Sequence, residues 1–348
     1  MRPKAVSAEG PRALPIALLC GLSILGAAAR AQGLDAQRLG VIYERNDAAS
    51  VRIARYYARV RHIPAGNIVG VRIARRAVIS RGELGALRRT LLAKLPSAVQ
   101  SLLLVWSEPY AVECMSITTA VAAGFSDGFC KPGCGPTPEN PLYDTDGWLP
   151  ADTAGWLPAM LLPSDDVALA KAVIDRGLRA DGTRPPGTVY LARTADFARN
   201  VRATEYPEAV ARLAGRVTVR EISAPIAGSL TGVLAYFTGA VQVAEIRGIH
   251  FRPGAAADHL TSSGGVLVGG TQMSVLAWLR QGATASYGTV SEPCNRLPKF
   301  PNPAVFMNHY LRGDTLLEAY WKSVFMPGQG LFVGEPLARP YGRAAHAR

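Results

Sequence analysis

The chain has 348 residues, of which 49% are apolar and 18% charged, and a formal net charge of +12. So apolar a composition excludes a disordered chain and suffices for one large α/β domain or two halves sharing a core. Its basic residues are scattered, with no Lys/Arg run and no aromatic interleaving, which argues against a nucleic-acid surface.

Arg2, Lys4 and Arg12 precede an apolar run at 13–29, and Ala29-Arg30-Ala31 forms an A-x-A cleavage site. This is the pattern of a signal peptide over 1–31, with a mature chain starting at Gln32 in the periplasm or outside the cell. The run is interrupted by Pro15 and is shorter than the roughly 20 residues a membrane span needs. No later stretch is apolar enough to span a bilayer, so no transmembrane segment is expected after cleavage. The segment carries four basic residues and one acidic residue, so its loss lowers the net charge from +12 to +9.

An N-terminal α/β half is expected over 32–160. Its short apolar strand at 39–43 is followed by a helix at 51–60, which has apolar and aromatic residues at helical spacing. A second strand lies at 68–73, and Ser80-Arg-Gly-Glu83 has the form of a capping box for a helix reaching about Leu95. The continuous apolar run at 101–106 suits a central parallel strand. From 107 to 166 regular signals fade into a long insertion rich in Gly, Pro and Trp.

A C-terminal half is expected over 161–340, with helices at 167–178 and 206–213 and strands at 187–193, 217–222 and 230–238. It continues with a helix at 273–280, a strand at 283–290, helices at 304–311 and 315–324, a last strand at 331–333, and a tail at 341–348. Strands alternating with helices imply an α/β fold with a mostly parallel sheet and helices on both faces.

Cys114, Cys130, Cys134 and Cys294 remain in the mature chain. An even number in an exported protein points to two disulfides pinning the insertion, and four cysteines allow three pairings. Cys130 and Cys134 flank a tight loop that could close on itself, leaving Cys114 for Cys294. A four-thiolate zinc site lacks the paired C-x-x-C spacing.

Two resemblances follow from longer motifs. Residues 46–67 (N-D-x-x-S-x-x-I-A-x-Y-Y-x-x-x-R-x-I-P-x-x-N), the stretch from Cys114 to Cys134, and D-H-L-T-S-S-G-G, S-Y-G-T-V-S-E-P, E-A-Y-W-K-S-V and G-E-P-L-A-R-P within 258–340 are similar to a family of exported bacterial proteins. That family occurs mainly in species with the exosortase protein-sorting system and has no established activity. More distantly, the order of blocks between Tyr236 and Pro293 resembles a caspase-like or gingipain-like cysteine-protease core. In such a core one strand ends in Gly-His and the next in Cys beside Ser or Gly. Here the first ends Thr238-Gly239-Ala240, and the second block ends Thr261-Ser262-Ser263-Gly264-Gly265. Gly334-Glu335-Pro336 resembles the G-D-P of gingipain-type domains. The imidazole and the easily ionised thiol which that chemistry requires are replaced.

Ligands of open α/β sheets bind beyond the carboxyl ends of the strands. The cleft residues expected there are Asn46, Asp47, Glu108, Thr238, Ala240 and Glu292. The leading reading is therefore a pseudoenzyme that binds a polypeptide or envelope polymer in the former active-site cleft. A second reading is an active hydrolase with His259 as base, Ser262 or Ser263 as nucleophile, and Asp258 or Glu292 in support. Against it stands the alternation of side chains along a strand, which separates neighbours. A third is a structural envelope component. No cofactor is expected and no metal residue is assigned, although Glu44, Asp47, Glu108, Asp196, Asp258 and Glu292 offer oxygens for calcium.

Overall fold

A ten-stranded sheet runs through both expected halves of the chain. The computed structural model describes residues 33–131 and 134–342; the expected signal peptide with its cleavage site, and residues 343–348 of the tail, lie outside them. The elements are β1 (Leu39–Glu44), α1 (Ala48–Val60), β2 (Ile68–Val71), β3 (Val78–Ile79), α2 (Arg81–Lys94), β4 (Ser101–Val105), β5 (Ala111–Val112) and β6 (Met115–Ser116). Next come α3 (Ile117–Ala123), α4 (Pro150–Ala154), β7 (Ala159–Leu162), α5 (Val167–Ala180), β8 (Thr188–Arg193), α6 (Tyr206–Leu213), β9 (Thr218–Ser223) and β10 (Leu230–Gly239). The last are β11 (Ile249–Leu260), α7 (Leu276–Gln281), β12 (Ala285–Thr289), α8 (Pro303–Leu311), α9 (Leu316–Ser323) and β13 (Gly330–Gly334).

The strand order is β2-β1-β4-β7-β13-β12-β11-β10-β8-β9, with β3, β5 and β6 in a small separate sheet. Strand β13 runs antiparallel to β12 over five residue pairs. Its isolated pairing with β7, Val333 beside Leu161, has the local pattern of a parallel bridge, but the ends of β13 fix its direction. Its start at Gly330 accepts a bond from Thr118, at the head of α3. Glu335, just past its end, meets Arg61 at the far end of α1. Thus β13 runs against its neighbours and the other strands share one direction. Accordingly Ser291, just past β12, donates to the Cys114 carbonyl beyond β4. Asn46, Glu108 and Glu292 therefore follow strands that end on one edge.

Local chemistry sets the boundaries. Asp47 caps α1 by accepting from Ala49, and Ser80 and Glu83 form the reciprocal capping box of α2. Central strands β4 and β7 are buried on both faces, as parallel strands between helix layers must be. Strand β7 lies inside the stretch expected to be irregular. Glu335 of the Gly-Glu-Pro motif is fully buried at the amino-end edge, bonded to Arg61 and to Tyr57, so this motif lies away from the cleft.

Two disulfides are present, but their connectivity corrects the expectation: Cys114 pairs with Cys130 and Cys134 with Cys294. Cys114 follows β5 at the β5–β6 turn, and Cys130 closes a 3-10 turn with its Cα 5.5 Å away. Cys134 is thereby free to reach the loop after β12, with Cα atoms 5.3 Å apart. The two bonds close loops of very different length, with separations of 16 and 160 residues. In the chain-entropy model these constrain the unfolded state by about 3 and about 5 kcal/mol. Thermal melts should therefore show Cys134→Ser/Cys294→Ser losing more stability than Cys114→Ser/Cys130→Ser. Peptide mapping without reduction should recover the same two pairs, and a linked Cys130–Cys134 peptide would contradict this architecture.

Candidate functional site

Strands β8, β10, β11 and β12 end together and build a polar edge. Strands β10 and β11 pair in parallel, with Phe237 beside Asp258, Thr238 beside His259 and Gly239 beside Leu260. Ala240 and the 261–265 block thus leave adjacent strand ends, at the roughly 4.8 Å spacing of neighbouring strands. Gly239 is required there, because a Cβ would run into the Arg199 carbonyl of the loop after β8. Thr194 closes the same contact by donating to the Gly239 carbonyl at 2.6 Å.

A hydrogen-bond ring orders the loop after β11. Thr261 Oγ1 donates to Gln272 Oε1 at 2.7 Å and accepts from Arg199 Nε at 3.0 Å. The Ser263 amide donates to the same Gln272 oxygen at 2.8 Å. Thr289 Oγ1, at the end of β12, lies 3.0 Å from the carbonyls of Thr261 and Ser262. The side chains of Ser262 and Ser263 remain half-buried at the rim, as does Ala240.

Asp258 and His259 are neighbours in a strand and therefore point to opposite faces. Asp258 is buried and ion-paired with Arg202, which is itself fully buried. Burial outweighs the Arg202 charge and pushes the Asp258 carboxyl up to about 6. On the other face the His259 ring lies under Trp278. Its Nδ1 accepts from the indole Nε1–H at 2.9 Å, and its Nε2 lies 2.9 Å from the Met273 carbonyl. Since Nδ1 accepts, Nε2 must carry the proton and donate to Met273. Burial lowers the His259 pKa to about 4. A neutral imidazole with both nitrogens engaged has no lone pair for Ser262 or Ser263. The Asp258–His259–Ser262/Ser263 set, expected as a possible triad, is therefore not assembled.

The other expected residues divide between two places. Thr238 is buried and donates to the Ala192 carbonyl. Glu292 is exposed and accepts from the Cys294 amide at 2.7 Å. Asn46, Asp47 and Glu108 lie beyond β1 and β4, where strand order reverses. Glu44, Asp47, Trp106, Ser107, Glu108 and Ser164 line a cavity of about 20 Å³ there, room for a single water. Asp47 accepts from Ser164 Oγ at 2.9 Å. The six carboxylates considered for calcium do not form one set: Glu44, Asp47 and Glu108 line the small cavity, Asp258 faces Arg202 and Asp196 faces Arg199. Among the described residues no group of three or more His, Cys, Asp or Glu side chains is placed to hold a metal ion.

Arg202, Gln272 and Trp278 were not legible as site residues. Arg202 sits in a polar stretch that reads as surface, and Trp278 reads as ordinary core. The partners of Arg202 are distant in sequence, and those of Gln272 and Trp278 are reached only by the folding back of the segment after β11.

No protein-family model and no curated protein matches the chain. One solved structure, described as a protease, is similar at a TM-score of 0.49 and 11% identity, covering 88% of this chain and 79% of its own. Likeness at that level bears on neither family nor activity. No helix of the described residues is long and apolar enough to cross a membrane.

Side-chain ¹⁵N NMR should show a neutral His259 ring with the proton on Nε2 from pH 7 down to about 5, protonating only near pH 4. Protonation near 6.5, the value of a free imidazole, would contradict this assignment.

Proposed function

We propose that this is an exported α/β protein which binds polypeptide along the carboxyl edge of β8, β10, β11 and β12 without hydrolysing it. The observation that carries this reading is the composition of that edge. Ala240 and Ser263 stand at the adjacent strand ends where a protease of this arrangement would need its imidazole and thiol. The nearby imidazole, His259, is committed to Trp278 and Met273. What the loops offer instead is surface. Phe197, after β8, is 96% exposed and Val268, after β11, is 53% exposed. The Arg199–Thr261 bond ties their two loops together. Exposed apolar side chains beside the half-buried Ser262 and Ser263 suit an extended chain. The signal-peptide pattern and two disulfides support export.

A hydrolase using His259 with Ser262 or Ser263 is disfavoured by the occupied imidazole, and a purely structural envelope role leaves the exposed Phe197 without a purpose. Probe labelling separates the readings. The folded protein should react neither with electrophilic cysteine-protease probes nor with a fluorophosphonate. It should still bind a fluorescent, permanently unfolded polypeptide, and Phe197→Ser should weaken that binding several-fold with little change in melting temperature. Fluorophosphonate labelling at Ser262 or Ser263 that disappears in His259→Ala would establish the hydrolase.

A further inference from the structure

The loops that leave this edge enclose a second, larger feature. The segment after β8 ends in a 3-10 turn, Asn200–Glu205, and the segment after β12 runs through Leu297 to Asn302. Arg202 Nη2 joins the two by donating to the Pro301 carbonyl at 2.6 Å. Between them opens a cleft of about 370 Å³, walled by Tyr143, Leu297, Phe300 and Phe325, with Asn302 and Glu205 as polar members. Tyr143 and Phe325 pack edge to face at 5.2 Å, making one wall aromatic.

Glu205 is the anomaly. One carboxylate oxygen, Oε2, is buried without a hydrogen-bond partner. The other receives a single long bond of 3.4 Å from Asn302 Nδ2. Arg202 acts on it from a distance, but its guanidinium bonds run to Asp258 and to the Thr238 and Pro301 carbonyls, and no ion pair joins it to Glu205. Arg212 is likewise taken by Asp144 and Glu208. The described residues therefore leave one carboxylate without an ion-pair partner in an apolar, aromatic-walled cleft with room for a side chain. Burying such a group is costly unless a partner arrives.

We propose that this cleft is a selectivity pocket for a lysine or arginine side chain of the bound polypeptide, with Glu205 receiving the cationic head and the Tyr143–Phe325 wall covering the aliphatic stem. The aromatic faces favour the cation, and the methylenes replace water along the apolar wall. The inference rests on the polypeptide-binding reading of the same edge and adds the class of residue it selects.

Burial raises the Glu205 pKa to about 7 against the lowering influence of Arg202, with Glu208 and Asp258 adding to the rise. Arg212, Tyr143 and Asp144 also face this region. A cation needs the ionised carboxylate, so binding strengthens as pH rises through that value. A group titrating near 7 is about nine-tenths ionised at pH 8 and about one-tenth at pH 6, a roughly tenfold difference in affinity.

Fluorescence anisotropy on the full chain, with capped Ala-Ala-Lys-Ala-Ala peptides and the same peptide carrying norleucine for lysine, tests this. The lysine peptide should bind about tenfold more tightly at pH 8 and lose that advantage by pH 6. Glu205→Gln should abolish both the preference and its pH dependence, at an unchanged or higher melting temperature. Leu297→Trp, which fills the cleft and keeps the carboxylate, should weaken lysine peptide alone. Equal affinity for the lysine and norleucine peptides, or an unchanged pH profile in Glu205→Gln, would overturn the pocket while leaving polypeptide binding intact. Binding of n-butylammonium as tight as the lysine peptide would overturn the polypeptide source. Failure of every peptide to bind would remove both readings.

Discussion

The buried ion pair between Arg202 and Asp258 is the constraint on which the carboxyl edge depends. Arg202 is fully buried and reaches three other segments: Asp258 in β11, the Thr238 carbonyl in β10 and the Pro301 carbonyl after β12. Its guanidinium also lies over the Phe237 ring at 5.0 Å. Two charges withdrawn from water gain little net stability, but loss of either leaves the other unpaired, typically at 3–5 kcal/mol. The pair therefore fixes geometry: it holds the 200–205 turn against the sheet and so places both Arg199 and Glu205. It also engages the Arg202 guanidinium, so Glu205 feels that charge without an ion pair to it.

The sheet then separates two kinds of chemistry. On the Arg202 face lie Asp258, Phe237 and Phe306, the two phenylalanines 5.7 Å apart and edge to face. On the opposite face lie His259, Trp278 and Tyr236. The alternation of a strand makes Asp258 and His259 belong to different neighbourhoods despite their adjacency. Both are structural: each is buried, and each has burial shifting its pKa toward the neutral form. What remains at the rim is the loop surface that carries Ser262, Ser263, Gln272 and Phe197.

Much of the architecture was legible from periodicity and caps. The capping box at Ser80 and Glu83, the buried run of β4 and the strand–helix alternation after 167 all appear where local chemistry places them. Strand β7 was not legible because four apolar residues between prolines do not distinguish a strand from a loop anchor. The twelve residues of β11 were obscured by Pro253 and Gly254, which read as a break. Disulfide pairing depends on which loops meet in space, so neither the Cys114–Cys130 nor the Cys134–Cys294 bond could be chosen from spacing. The same limit hid Arg202 and Glu205, whose significance lies in partners roughly 35 to 100 residues away.

Hydrogen exchange measured with and without a saturating, carboxymethylated unfolded polypeptide tests whether the carboxyl edge is the polypeptide-binding surface. Slowed exchange should be confined to residues 194–205, 240–243, 261–272 and 291–302, with the amino-end edge around Arg61 and Glu335 unchanged. Protection at that opposite edge, or on the exposed β9 strand, with none along 261–272, would contradict that placement.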